Sequence, residues 1–323
     1  MSAPLLATDP SAYLDSAPLQ PGDRVRFVSP SGPGSAESLE RAVGYYRDWG
    51  LDVVVGDHVL DPHPRASYLA GDDDGRRQDL VDAWLDPDAD AVVCIRGGYG
   101  AMRLLDGIDW ARMQQAALRR DGRPKLLTGS SDITALHEAF RVNLDVPTLF
   151  CPMAGNDVFR DSEFVREDVR RWLLEAWRGR DIVGPRTEVL APGVAEGRFT
   201  GGNLSLLAGA MGAPESLDRP GGILFLEDVD EEPYRIDGFL TQLGRAGRLG
   251  DASALVLGSW HECGDLGAIR ALVDELLLDL GVPVLWEQGF GHDPNALSIP
   301  LNVEGSLTAR AGEPVHLTVG GSL

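Results

Sequence analysis

Apolar residues in this chain recur in short runs, each broken by Gly, Ser, Pro or Asp and followed by a stretch with helical spacing. From Arg24, RVRFVSP reads as a strand, SGPGS as a turn, and Leu39, Ala42, Val43 and Tyr46 as the apolar stripe of a helix. The same order returns in DVVVGDHV, in DAVVCIRGG with AMRLLDGI behind it, and in KLLTGSSD with ITALHEAF behind it. Short apolar runs alternating with helices predict a mostly parallel sheet covered on both faces.

After the helical FVREDVRRWLLEAW, the segment RGRDIVGPRTEVLAPGVAEG turns rich in Gly, Pro and polar residues. The pattern therefore predicts an N-terminal domain over residues 20–165, a linker over 166–190 and a second domain over 191–323. In the second part, GILFLED and ASALVLGSW read as strands, IDGFLTQLGRAG and AIRALVDELLLDLG as helices. Its end, ALSIPLNVEGSLTAR and PVHLTV, nearly alternates, as antiparallel strands do. The expected class is α/β: a Rossmann-like or flavodoxin-like sheet domain, then a smaller mixed α/β domain with antiparallel strands.

Composition narrows the function. The 323 residues are 43% hydrophobic and 24% charged, the balance of a folded globular protein. A formal charge of −21, from 50 acidic and 29 basic residues, disfavours nucleic acid and anionic membranes as partners. Runs such as Asp72-Asp73-Asp74 and Glu231-Glu232 read as solvated surface. The first residues carry no basic, apolar leader, and no later run approaches a membrane span. Cys94, Cys151 and Cys263 are odd in number and far apart, which suits free thiols and a cytoplasmic setting.

In parallel sheets, chemistry gathers at the carboxyl ends of the strands, where two loops stand out: Arg96-Gly-Gly-Tyr-Gly100 and Gly129-Ser-Ser-Asp132. A serine on a tight strand-to-helix turn projects its hydroxyl beside a helix N-terminus, and Ser131 fits a nucleophile. Asp132 and Thr134 are equally helix-capping types, so the turn alone also reads as a plain polar helix start.

A serine needs a base, and the base an orienting acceptor. Among six histidines, His58, His63 and His316 lie in strand-edge or loop contexts with no partner pattern, His261 sits in WHECGD, and His137 is expected to face out of the helix after Ser131. His292 lies in the glycine-flanked loop QGFGHDPNALSIP, which can carry an imidazole to a neighbouring site. Glu227 and Asp228 both end the apolar run GILFLED, and local sequence does not choose between them. RGGYG offers close-approach glycines for an oxyanion, with the Asp132 N–H as a second donor.

Six segments in order, GDRVRFVSPSGP, YLAGDDDGRRQDLVDAWLDPDADAVVCIRGGYGAMRLL, KLLTGSSDITALH, GRFTGGNLSLLAGAMGAP, ILFLEDVDEEPYRIDGFLTQL and GHDPNALSIPLN, resemble the LD-carboxypeptidase family of serine peptidases, which also includes microcin-immunity peptidases. The resemblance implies a triad of Ser131, Glu227 and His292, choosing Ser131 over Ser130 and Glu227 over Asp228, with oxyanion donors at Gly98 and Asp132. It implies a muropeptide tetrapeptide as substrate, cut to release terminal D-alanine in cell-wall recycling. Cleavage of peptidyl-nucleotide conjugates is the alternative. Family members often form homodimers. Two departures stand out: Ser130 where an aromatic residue is common, and LFCPM, with Cys151, where a His-Gly-Pro-like segment is common.

A carboxypeptidase must read a terminal carboxylate with a local cation. Arg96, Arg103 and Arg235 are the candidates, and Asn203 in GGNL either binds the peptide or caps the helix after it. A dinucleotide fingerprint at Gly98-Tyr-Gly100 fails because Arg103 occupies the place of the small third residue. His261-Glu-Cys263 matches no metal-ligand spacing, so no metal and no cofactor are expected. A non-catalytic binding protein with the same cleft is the remaining rival.

Overall fold

The computed structural model describes residues 9–182, 184–218, 221–310 and 312–321. Its first half lays down β1 (Arg24–Val28), α1 (Ala36–Asp48), β2 (Asp52–Val55), α2 (Asp73–Leu85), β3 (Ala89–Cys94), α3 (Trp110–Gln115), β4 (Leu126–Gly129), α4 (Thr134–Leu144) and β5 (Thr148–Phe150). The run AMRLLDGI forms a 3₁₀ helix, Ala101–Gly107, and Ser131–Ile133 forms another ahead of α4. The strands order as β2-β1-β3-β4-β5, all parallel, the flavodoxin-like doubly wound arrangement.

Strand alternation explains the two covered faces. Ala91 and Val93 of β3 pack with Phe27, Ala42 and Tyr46 on one side, while Val92 and Cys94 pack with Leu80, Trp84, Leu136 and Phe140 on the other. Side-chain caps start several helices: Ser35 accepts from the Ser38 N–H and Asp72 from the Gly75 N–H. Asp72-Asp73-Asp74 is thus partly structural, because Asp73 also pairs with Arg76 and Arg103.

The expected linker stretch holds most of an amphipathic helix. α5 (Asp157–Asp161) and α6 (Glu163–Leu174) come first, and α6 buries Val165, Val169, Trp172 and Leu173. Strand β6 (Glu188–Ala191) follows, then β7 (Gly193–Asn203), α7 (Leu204–Gly209), β8 (Gly222–Val229), α8 (Pro233–Arg245), β9 (Ala252–His261), α9 (Leu266–Leu277) and β10 (Val284–Trp286). The chain closes with β11 (Ile299–Leu301), β12 (Glu304–Ala309) and β13 (His316–Val319).

The second sheet runs β13-β12-β7-β8-β9-β10-β6, with β7 to β10 parallel and antiparallel strands at both edges. β11 leaves this sheet and pairs antiparallel with β5, Ile299 against Phe150, so the late chain completes the first sheet. One apolar core joins the halves: Phe150 and Ile299 belong to the same cluster as Phe199, Phe225 and Phe290. Helices α7, α8 and α9 cover the far face of the second sheet over Leu224, Leu226, Leu255 and Leu257. No helix among the described residues is long and apolar enough to cross a membrane.

Candidate active site

β4 ends at Gly129, and Ser131 follows with φ 59°, a left-handed backbone that a non-glycine residue adopts only where its surroundings impose it. Neither Asp132 nor Thr134 caps the helix, contrary to the plain helix-start reading. The buried Asp132 Oδ2 accepts from Ser31 Oγ at 2.5 Å and from the Ala101 N–H at 2.8 Å, tying the turn to the loops after β1 and β3. Burial raises its carboxyl pKa above the usual range despite these donors.

The RGGYG loop lies directly against the turn. A Cβ on Gly97 would meet Ser131 Cβ at 3.1 Å and Met153 Cε at 3.0 Å, so a side chain there would press on both neighbours. Gly98 has φ +103° and is exposed, and among the described residues its N–H donates to no protein acceptor. The Asp132 N–H sits in the first helical turn, where no preceding carbonyl is available to it.

Glu227, fully buried near the end of β8, accepts from His292 Nδ1 through Oε2 at 2.7 Å. Its other oxygen accepts from Asn203 Nδ2 at 3.2 Å, and the same amide donates to Asp228 Oδ1 at 2.8 Å. Asn203 also caps α7, its Oδ1 accepting from the Leu206 N–H at 3.2 Å, so it both caps and bridges. Burial, then the adjacent Glu227 charge, pushes the Asp228 carboxyl up to about 6.

The His292 loop is fixed by its backbone N–H donating to Ser259 Oγ at 3.0 Å. Gly291, at φ +107°, has no room for a side chain: a Cβ there would stand 2.5 Å from Glu227 Oε2. Burial draws the His292 pKa down, but the charge and hydrogen bond of Glu227, with the charge of Asp228, outweigh it and leave the pKa above the ordinary value.

The Ser131 turn and the Glu227–His292 pair are therefore assembled on separate sheets, and Asn203 connects them by donating its backbone N–H to Thr134 Oγ1 at 3.0 Å. Ser131 Oγ and His292 share no hydrogen bond among the described residues. Glu227, His292 and Asn203 are brought into contact, and so are Ser131 and the Gly97-Gly98 loop.

The three arginines separate clearly. Arg103 grips Asp73 with Nε and Nη2 at 2.9 and 2.7 Å, and Arg235 pairs with Glu231, whereas exposed Arg96 forms no ion pair among the described residues. His137, expected to face outward, is 2% exposed: its ring nitrogens meet Thr148 Oγ1 at 2.8 Å and the Gly129 carbonyl at 2.9 Å. Two good partners compensate that burial, which lowers its pKa to about 4. Sequence reasoning also missed Ser31 and Ser259, hydroxyls whose partners lie 101 and 33 residues away. No group of three or more His, Cys, Asp or Glu among the described residues could hold a metal ion.

Comparison with known proteins identifies the family. Residues 25–151 match the LD-carboxypeptidase N-terminal domain and residues 196–307 the LD-carboxypeptidase C-terminal domain. A candidate carboxypeptidase of Streptomyces coelicolor is 46% identical over 299 residues, covering 92% of this chain and 94% of its own. The murein tetrapeptide carboxypeptidase of Pseudomonas aeruginosa is 35% identical over 252 residues, 76% of this chain and 79% of its own. The crystal structure of muramoyltetrapeptide carboxypeptidase from Oxalobacter formigenes superposes with a TM-score of 0.78 at 28% identity, covering 92% of this chain and 99% of that one. The microcin C7 self-immunity protein MccF shares the fold alone, with a TM-score of 0.78 at 21% identity over 94% of this chain and 98% of its own. Matched in both halves and along nearly all its length, this chain belongs to the LD-carboxypeptidase family.

Proposed function

We propose that this protein is a serine carboxypeptidase that removes the terminal D-alanine of a murein tetrapeptide, with Ser131 as nucleophile, His292 as base and Glu227 as its orienting carboxylate. The observation that carries the reading is the 2.7 Å bond from His292 Nδ1 to the buried Glu227, on a scaffold that Asn203 ties to the Ser131 turn. The murein relatives supply the substrate class.

In this mechanism Ser131 Oγ attacks the scissile carbonyl and its proton passes to His292 Nε2, while Glu227 stabilises the imidazolium through Nδ1. The oxyanion takes hydrogen bonds from the N–H groups of Gly98 and Asp132. His292 returns the proton to the leaving amine, and water, activated by the same imidazole, releases the acyl group. Catalytic hydrogen bonds are commonly long in unliganded sites, so bound substrate brings Ser131 Oγ and His292 into contact. Arg96 receives the terminal carboxylate, because the other two arginines are already committed to acids.

Three buried free cysteines fit a cytoplasmic role in recycling. Incubation with murein tetrapeptide, followed by mass spectrometry for D-alanine, tests the reading, with a peptidyl-nucleotide conjugate in parallel. Release of D-alanine by the wild type and none by Ser131→Ala is expected. Cleavage of the conjugate alone would replace the substrate assignment.

A further inference from the structure

Two tyrosines near the Ser131 turn have no part in the proposed chemistry. Tyr68 and Tyr99 are 59% and 51% exposed, among the most open large hydrophobic side chains of the described residues. Their ring centroids lie 5.8 Å apart at an interplanar angle of 68°, so the edge of one ring meets the face of the other, and both rings keep surface open to water.

The pair is held in place. Tyr99 follows Gly98 in the loop that touches Ser131, and Arg103, itself gripped by Asp73, lies against the Tyr99 phenol. Tyr68 precedes the buried Leu69 and Ala70, and the Ala70 N–H donates to the Ser31 carbonyl at 3.0 Å. Ser31 also binds Asp132. Both tyrosines therefore stand on the segments that fix the nucleophile turn.

Large exposed aromatic surface next to a candidate nucleophile points to a ligand with a flat apolar face and a polar rim. Aliphatic C–H bonds on one face of a pyranose rest well on the electron-rich face of a tyrosine, while the sugar hydroxyls remain hydrated or meet the phenols. The tilted pair does not make the parallel slot that a planar nucleobase would fill, and a protein of charge −21 disfavours a phosphate-bearing ligand. In a muramoyltetrapeptide the sugar lies three residues before the bond to be cut, about 10 Å of extended chain.

We propose that Tyr68 and Tyr99 form a subsite for the muramoyl sugar, making the enzyme select a glycan-bearing tetrapeptide over the bare peptide. The proposal rests on the murein reading of the active site and deepens it. Neither tyrosine is assigned any part in bond cleavage.

The test compares kcat/KM for D-alanine release from N-acetylmuramoyl-tetrapeptide and from the bare tetrapeptide. A wild-type preference of roughly three- to tenfold for the sugar-bearing substrate is expected, the scale of one good aromatic contact. The ratio falls toward one in Tyr99→Leu and Tyr68→Leu, which keep apolar bulk without a ring, and persists in Tyr99→Phe and Tyr68→Phe. A wild-type ratio near one, or leucine variants that keep the full preference, overturns the subsite and leaves the peptidase reading standing. Absence of D-alanine from both substrates overturns the peptidase reading itself, and the subsite with it. Leucine variants that lose selectivity only for a peptidyl-nucleotide would make the pair a nucleobase platform and overturn the sugar assignment.

Discussion

Asn203 donates its backbone N–H to the hydroxyl of Thr134 at 3.0 Å, and through that bond the strand bearing Glu227's partner meets the helix that begins just after Ser131. Asn203 is 2% exposed, so water does not readily replace the lost acceptor in Thr134→Val. The variant is expected to lose about 1–3 kcal/mol of stability, the cost of an unpaired buried donor. Turnover should fall further than that loss explains at temperatures where the protein stays folded. Thermal unfolding and kcat measured on the same preparation check this.

Ser131→Ala should lower kcat by about 10⁴–10⁶-fold, since members of a triad act as a unit. Ser131→Gly should be equally inactive yet more stable than Ser131→Ala by about 1 kcal/mol, because glycine adopts φ 59° without steric cost. Denaturant titration of the two inactive variants decides whether the turn is strained.

The acid limb of kcat/KM should report His292, whose pKa is raised and whose neutral form is the base. Activity should rise with pH through a midpoint above about 6.5. In Glu227→Gln the carboxylate's raising effects vanish while burial remains, so the midpoint moves toward acid and the rate drops about 10³–10⁴-fold. The stability contributed by the charged pair has the opposite sense: it is fully present below about pH 6.5 and is lost as pH rises through the folded pKa. A pH–rate profile of both proteins is the measurement.

Acid should also weaken the fold through His137, whose pKa is lowered to about 4. The unfolded chain then binds the proton that the folded one refuses, so stability falls as pH drops from about 6.5 toward 4, by about 3 kcal/mol at most. His137→Gln is expected to flatten that dependence, whatever it does to stability at pH 7. Unfolding free energy measured across this range checks the sign.

Arg96→Ala should raise KM for the tetrapeptide about ten- to hundredfold, the loss of a charge-assisted contact, and Arg96→Lys should recover part of it. Arg235→Ala should change KM less, because Glu231 already holds that guanidinium. Steady-state kinetics of the three variants rank the cations.

Much of the fold was legible in the chain. Strand β3 alternates Ala91 and Val93 with Val92 and Cys94, and both sets are apolar, which is how a strand buried on two faces must read. The Gly-Gly of RGGYG and the serine turn after β4 are local features, and local sequence located them. β11 was less legible: it is a short run near the chain's end, and nothing within it states that it will pair with Phe150 rather than with its neighbours.

Sequence by itself determined the parallel architecture, the positions of the tight loops and the residue types able to make a nucleophile, a base and an orienting acid. Only the tertiary structure decided which groups meet: that Asp132 holds Ser31 instead of capping a helix, that His137 turns inward, and that Arg96 alone of the three arginines is left unpaired among the described residues. The physical reason is range. Backbone propensities and apolar periodicity act between near neighbours, whereas a buried polar group takes whichever partner the packed sheets bring within about 3 Å, however far away it lies in sequence.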